Sequence, residues 1–261
     1  MFATERRRRI LEHVRAHGTA DLRELASLTE ASEVTVRRDL RALEERGLVV
    51  RRRGGAAAPA GAPDAHGDEP IGLTPEHAAV ADAAAALVNS GQVVAVGAGP
   101  LTHLLASRLA EVPGLTVVTN SLLVGEVLGH ASGVSVVMTG GSLRGATYGL
   151  VGSGAEQSFA EMKVHYAFLA GDGLTAEWGL SRADGAEVGV DRAIAGAATE
   201  VVVLVDHAAV GLDSPFQTVP TDRIAHAVTD ASADPATLAR LSELGVQVHI
   251  ARPGPAADDE P

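Results

Sequence analysis

The chain has 261 residues, 46% of them apolar and 21% charged, enough for two domains of ordinary size with buried cores. It contains no cysteine, which excludes disulfide scaffolds, thiolate zinc sites and thiol nucleophiles together. The net charge of −12 is unevenly spread: residues 1–53 carry 13 Arg against 9 carboxylates, and residues 54–261 carry 8 basic residues against 24 carboxylates. A basic head on an acidic body implies that only the head meets a polyanion. No apolar run reaches the roughly 18 residues that span a bilayer. Met1–Arg9 is basic but leads into no apolar signal core, so a cytoplasmic location without membrane contact is expected.

In chain order, Ile10, Leu11 and Val14 give a first helix its apolar stripe, and Gly18 stops it. Asp21 with Glu24 three residues on reads as a capping box, opening a short helix that carries Leu22, Leu25 and Leu28. Ser32 caps a third helix running to Gly47, whose Val36, Leu40 and Leu43 stand at i, i+4 and i+7. At about 100° per residue, Arg38 and Arg41 then face away from that core, with Thr35 and Arg37 on the flanks. The stretch LVVRRRGG reads as two short strands around a basic tip. Cap, helix, turn and arginine-faced helix make a helix-turn-helix pattern, a shape that fits the major groove of DNA. There Arg reads guanine edges and Ser or Thr reads either base class, while Arg51, Arg52 and Arg53 meet phosphates. The plainer alternative is a solvated basic helix in a protein-binding module. His13 and His17 have the i, i+4 spacing of metal ligands, but no third ligand is suggested nearby; a plain helix surface, with no metal and no cofactor, is the expectation.

The stretch GGAAAPAGAPDAHGDEPIG, residues 54–72, is rich in Ala, Gly and Pro and lacks periodicity, as a linker does. The expected organisation is a head over 1–55, a linker over 56–73, a body over 74–252 and a disordered tail over 253–261. In the body, Thr74-Pro75 caps a helix with Val80, Ala84, Leu87 and Val88 on its apolar face. Seven apolar runs follow: 93–96, 116–118, 134–138, 167–170, 201–205, 225–228 and 246–250. They are short, mostly β-branched and apolar at consecutive positions, as strands covered on both faces are. Helical stretches at 102–110, 121–130, 155–162, 186–197 and 235–244 separate many of them, so the fold class is an α/β doubly wound, largely parallel domain.

In such a sheet ligands sit beyond the carboxyl ends of the strands, where Gly97, Ala98, Gly99, Asn120, Gly140, Gly141 and Asp172 all fall. Gly97–Thr102 opens a helix and offers backbone donors to an anion; Asn120 and Asp172 suit sugar hydroxyls, and Arg144 suits a phosphate. The plainer alternative is that the glycines permit tight turns and the polar residues cap helices. The single lysine, Lys163, precedes Tyr166 and Phe168, and plentiful carboxylates are ordinarily a solvated surface, so no catalytic residues are expected. Trp178, the only tryptophan, suits either a pocket wall or a subunit contact.

The stretch Ser32–Ala56, SEVTVRRDLRALEERGLVVRRRGGA, with Arg9-Ile10-Leu11 before it, resembles the DNA-binding head of the DeoR-type (DeoR/GlpR) bacterial regulators. The resemblance implies a winged helix-turn-helix with Arg51–Gly55 as the wing, and DNA contacts at Ser32, Glu33, Thr35, Arg37, Arg38 and Arg41. Glu30 departs from the glycine usual in the turn. The body continues the resemblance through Thr119-Asn120-Ser121, Gly140-Gly141-Ser142-Leu143-Arg144, Gly171-Asp172-Gly173, Glu187 and Asp206. It implies a fold similar to ribose-5-phosphate isomerases, used to sense a phosphorylated sugar. Effector contacts would fall on Gly97, Gly99, Thr102, Asn120, Ser121, Gly140, Gly141, Arg144, Asp172, Glu187 and Asp206. The anion loop departs from its D-S-G-T-T-T pattern: Gly97-Ala98-Gly99-Pro100-Leu101-Thr102 loses an aspartate and two hydroxyls, and Pro100 removes an N–H. Asp191 and Val210 stand where lysines are common, and Asp191 would repel a phosphate unless Arg192 compensates. The expectation is a nucleoid-associated, homo-oligomeric regulator, most simply a repressor of carbohydrate genes. It would bind double-stranded operator DNA and answer to a sugar phosphate or a less anionic metabolite. The alternatives are an isomerase-like enzyme with an accessory head, and a constitutive DNA-binding protein with a degenerate pocket.

Overall fold

A computed structural model describes residues 6–7, 9–10, 13–14, 19–29, 31–44, 49–52, 55–57, 74–145 and 147–254. The chain divides into two compact units, Met1–Pro70 and Ile71–Pro261.

In the first unit, residues 6, 7, 9, 10, 13 and 14 are helical. They precede strand β1 (Thr19–Asp21), helix α1 (Leu22–Thr29), helix α2 (Glu33–Glu44) and strands β2 (Val50–Arg52) and β3 (Gly55–Ala57). The capping box forms as expected: Asp21 Oδ1 accepts the Glu24 N–H at 2.8 Å and Glu24 Oε2 accepts the Asp21 N–H at 3.3 Å. Ile10, Val14, Leu22, Leu25, Val36, Leu40 and Leu43 share one buried core. Leu28 is a correction, since it stays outside that buried core and is 39% exposed. So are Gly55–Ala57, which open the Ala/Gly/Pro-rich stretch yet form the middle strand of an antiparallel sheet ordered β1-β3-β2. Small residues fit there because a Cβ on Gly55 would lie 2.1 Å from the Ala20 carbonyl oxygen. Leu11, His17, Gly18, Glu30, Gly47, Arg53, Gly54 and residues 58–73 and 255–261 lie outside the described residues.

The second unit is built on seven parallel strands ordered β15-β14-β12-β9-β4-β5-β6. They are β4 (Val93–Val96), β5 (Leu115–Thr119), β6 (Val134–Met138), β9 (Val164–Ala170), β12 (Ala198–Leu204), β14 (Ile224–Asp230) and β15 (Gln247–Ala251), one for each expected apolar run. Consecutive apolar residues are used because both faces are buried. Val94, Val96, Phe168, Val202 and Leu204 enter one core, and Ala95, Ala167, Leu169, Val201 and Val203 enter the other. The first core packs under helices α3 (Pro75–Ala85), α4 (Pro100–Leu109) and α5 (Leu122–Gly129). The second packs under α6 (Ser153–Ala160), α7 (Val188–Ala197) and α8 (Pro235–Glu243). Strand β6 corrects the expectation of full cover: it is an edge, and Val137 and Met138 are exposed.

Two pieces have no counterpart in the sequence reading. A hairpin pairs β7 (Ser142–Arg144) with β8 (Gly149–Val151), and a small antiparallel sheet orders β10 (Gly173–Thr175), β11 (Gly179–Arg182) and β13 (Phe216–Val219). The chain runs β4, β5, β6 to one side of the large sheet and then returns to β9, β12, β14 and β15 on the other. The strand order therefore reverses between β4 and β9, where an open α/β sheet leaves a crevice beyond its carboxyl ends.

Candidate functional site

On the head, α2 divides into two faces. Val36, Asp39, Leu40 and Leu43 are buried, and Val34, Arg37, Arg38 and Arg41 are exposed. Ser32 caps the helix: its Oγ accepts the Thr35 N–H at 3.3 Å and lies 2.9 Å from Thr35 Oγ1. Glu33 takes Arg37 Nη2 at 3.3 Å and faces Arg23 Nε at 3.9 Å, so an acidic residue at the helix start is neutralised by its neighbours. Arg38 and Arg41 project from the same exposed face. Arg51 and Arg52 lie in β2, by backbone alone, and Arg53 is outside the described residues.

Asp39 gives the RRDL run a purpose that its sequence alone does not reveal. Its carboxylate is 2% exposed and accepts Arg6 Nε at 2.6 Å and Arg7 Nε at 2.7 Å. A buried carboxylate held by two guanidinium groups fixes how the first helical segment sits on α2. Thus Arg6 and Arg7, part of the basic count of the head, serve its interior. His13 pairs with Glu24 at 2.7 Å, and no group of three or more metal-type ligands occurs among the described residues.

In the body a cavity of about 350 Å³ opens where the sheet order reverses. Its walls are Pro100 and Leu101 after β4, Ala170, Gly171 and Asp172 after β9, Asp206, Ala208 and Ala209 after β12, and His77 from α3. Asp172 Oδ2 accepts the Ala183 N–H at 2.8 Å, and Asp206 Oδ1 accepts the Ala209 N–H at 3.1 Å. His77 Nδ1 accepts the Thr74 N–H at 3.2 Å, completing the α3 cap, which leaves Nε2 to carry the proton and donate to Asp206 at 3.4 Å. The walls therefore hold two carboxylates and an imidazole, and neither Arg nor Lys.

The cation nearest the glycine loop is Arg182, at the end of β11, a residue the sequence reading passed over. Its Nε meets Asp191 at 2.5 Å, its Nη1 meets Glu187 at 2.7 Å, and its Nη2 donates to the Ala98 carbonyl at 2.9 Å. All three side chains are buried. Burial pushes the Asp191 carboxyl up to about 6, against the pull of Arg182. Burial also opposes the Arg182 charge, but Asp191 and Glu187 outweigh it and hold the guanidinium above its ordinary range. The expected compensation of Asp191 by Arg192 is corrected: Arg192 instead donates to the Gln217 carbonyl at 2.6 Å. Gly97 packs closely beside this group: a Cβ there would lie 2.8 Å from Leu169 Cδ2, so the leucine side chain would have to move to admit one.

Of the remaining residues singled out from sequence, Thr102 is buried and donates to the Gly99 carbonyl at 2.9 Å. Asn120 Nδ2 donates to the Leu150 carbonyl at 3.0 Å, tying β5 to the hairpin; its Oδ1 is buried without a partner among the described residues. Ser121 Oγ caps α5 by accepting the Val124 N–H. Gly141, at φ +131°, makes a turn no side chain tolerates, because a Cβ would lie 2.7 Å from the Val151 carbonyl oxygen. Gly140 and Arg144 are exposed, and Arg144 pairs with Asp184 at 2.8 Å. Glu187 also accepts from Thr147 Oγ1. Val210 is buried. Trp178 stands on the β10–β11 turn, 41% exposed and outside the cavity walls.

Comparison with known proteins gives the following. The DeoR C terminal sensor domain matches residues 74–231, and the DeoR-like helix-turn-helix domain matches residues 6–61. The chain is 31% identical to the HTH-type transcriptional regulator GlpR of Haloferax volcanii, covering 95% of this chain and 98% of that one. It is 26% identical to the glycerol-3-phosphate regulon repressor of Escherichia coli K12, covering 96% and 100%. Among solved structures it is similar to ribose 5-phosphate isomerase A of Methanocaldococcus jannaschii, with a TM-score of 0.38 and 20% identity over 51% of this chain and 53% of that one.

Proposed function

The chain belongs to the DeoR family of transcriptional regulators, and from that premise we propose that it represses carbohydrate genes under the control of an effector less anionic than a sugar phosphate. The observation that carries the DNA half is the division of α2. Its free face gathers Arg37, Arg38 and Arg41 opposite the buried Val36, Leu40 and Leu43. We assign base and phosphate contacts to Ser32, Thr35, Arg37, Arg38 and Arg41, with Glu33 orienting Arg37 and the wing arginines Arg51–Arg53 on the phosphate backbone. Repression, rather than activation, is supported by the name of the Escherichia coli relative.

The effector half rests on the charge of the cavity. Asp172, Asp206 and His77 offer acceptors and one N–H donor, which suits hydroxyl groups, and a phosphate would meet carboxylates with no facing cation. Arg182 is already engaged by Asp191, Glu187 and Ala98, and Pro100 has no N–H to give. Of the effector contacts expected from sequence, Asp172 and Asp206 line the cavity, whereas Gly97, Gly99, Thr102, Asn120, Ser121, Gly140, Gly141, Arg144 and Glu187 are not among its walls, so we assign effector contact to the first two. Catalysis is not part of this reading. The single lysine precedes β9 and Asp172 follows it, so the two stand at opposite ends of a strand roughly 23 Å long. A homo-oligomer is the form in which paired heads would match two half-sites about one helical turn apart.

The test is thermal denaturation of the full chain with simple sugars and polyols and with their phosphate esters. A ligand at a hundred times its Kd stabilises the folded state by about 2.7 kcal/mol. Stabilisation by the uncharged compounds and not by the esters is expected. Tight binding of a simple sugar phosphate would overturn the reading.

A further inference from the structure

We propose that Val34 is a sequence-reading residue, whose methyl groups pack against the C5-methyl of a thymine in the major groove. The proposal rests on the DNA-reading assignment of α2 and goes beyond it to a particular base.

Val34 is 74% exposed, the highest value among the exposed large apolar side chains of the described residues. A lone valine at the surface is ordinary in itself. Its position is what matters. It is the second residue of α2, and the N-terminal residues of a recognition helix are those that reach base edges. At about 100° per residue, positions 34, 37, 38 and 41 fall within roughly 100° of arc, so Val34 shares one face with Arg37, Arg38 and Arg41. The buried positions 36, 39, 40 and 43 occupy the opposite side. This apolar group therefore sits in the middle of the cationic face and not at its margin.

Its chemistry narrows the target. Valine neither donates nor accepts a hydrogen bond, so phosphates and the polar base edges offer it nothing. The apolar feature in the major groove is the thymine methyl. A β-branched side chain in a helix is held near one χ1 rotamer, so its methyls are presented in one place at little entropic cost. Beside it, Glu33 is engaged by Arg37 and Arg23 and is not left as a bare negative charge at the groove.

The test begins with a duplex that the full chain selects from a random pool. Each thymine in it is then replaced by uracil, which removes the C5-methyl and nothing else. One thymine position in each half-site is expected to weaken wild-type binding about fourfold on replacement, the worth of one buried methyl group. Val34→Ala is expected to bind the thymine duplex several-fold more weakly and to be indifferent to uracil at that position. Val34→Thr, which keeps a methyl there, should retain part of the discrimination. A selected duplex with no uracil-sensitive position, or a Val34→Ala chain as sensitive as wild type, overturns this assignment and leaves the DNA-reading role of α2 standing. A chain that selects no duplex overturns both.

Discussion

Replacing Arg182 by methionine removes one cation from a place with two carboxylates. Methionine fills similar length without charge, so Asp191 and Glu187 stay buried with no counter-charge and the Ala98 carbonyl loses its donor. Breaking a buried ion pair from one side costs about 3–5 kcal/mol, because the charge left behind is uncompensated. For a unit of this size that corresponds to roughly 6–20 °C of melting temperature. The loss should shrink on acidification, since the Asp191 carboxyl stands at about 6 even with Arg182 present and rises further without it. A second change, Asp191→Asn, should restore part of the loss at neutral pH. Guanidinium unfolding of the full chain, followed by the fluorescence of Trp178, the only tryptophan, reads the body directly. A methionine variant within 1 kcal/mol of wild type at pH 7, with no dependence on acid, would refute the view that Arg182 neutralises this site.

Asp191→Asn by itself tests the sign of the same carboxyl. The folded state holds a proton that the unfolded state, at 3.8, releases, so ionising Asp191 costs stability as pH rises. The stability of wild type relative to Asp191→Asn should therefore fall by about 2–3 kcal/mol between pH 4 and pH 7, and a flat difference would contradict this. Arg38→Ala should weaken binding to a selected duplex by about 1–3 kcal/mol; an equal loss on random duplex would reassign it to phosphate contact. Changing Arg51, Arg52 and Arg53 together to Ala should flatten the salt dependence of duplex binding, and an unaltered slope would take the wing off the phosphate backbone. Asp39→Ala should destabilise the head by about 1–3 kcal/mol, seen as faster amide exchange in α2 with the body unchanged; undiminished protection there would dismiss the role of Arg6 and Arg7.

The seven parallel strands were legible because a strand buried on both faces writes itself as a consecutive apolar run, as Val93–Val96 and Val201–Val205 do. The two faces of α2 were legible from the 3.6-residue period alone. What escaped was whatever depends on contacts between distant residues. Strands of three residues, such as Thr19–Asp21 and Gly173–Thr175, are too short to show a period. Edge strand β6 reads like an interior strand, because exposure is decided by its place in the sheet and not by its composition. Arg182 and Asp191 are nine residues apart on different elements, and Arg6 and Asp39 are 33 apart, so no local pattern announces either pairing. The family resemblance pointed to Asp172 and Asp206, which do share the cavity, but not to His77 across from them.

The most direct measurement is the affinity of the full chain for a duplex of its own choosing, set against a shuffled duplex of the same composition at physiological salt. A head that reads bases through α2 gives a preference of about a thousandfold or more, cut by roughly 5- to 150-fold in Arg38→Ala. Equal affinity for the two duplexes would mean that the basic face of α2 does not read sequence.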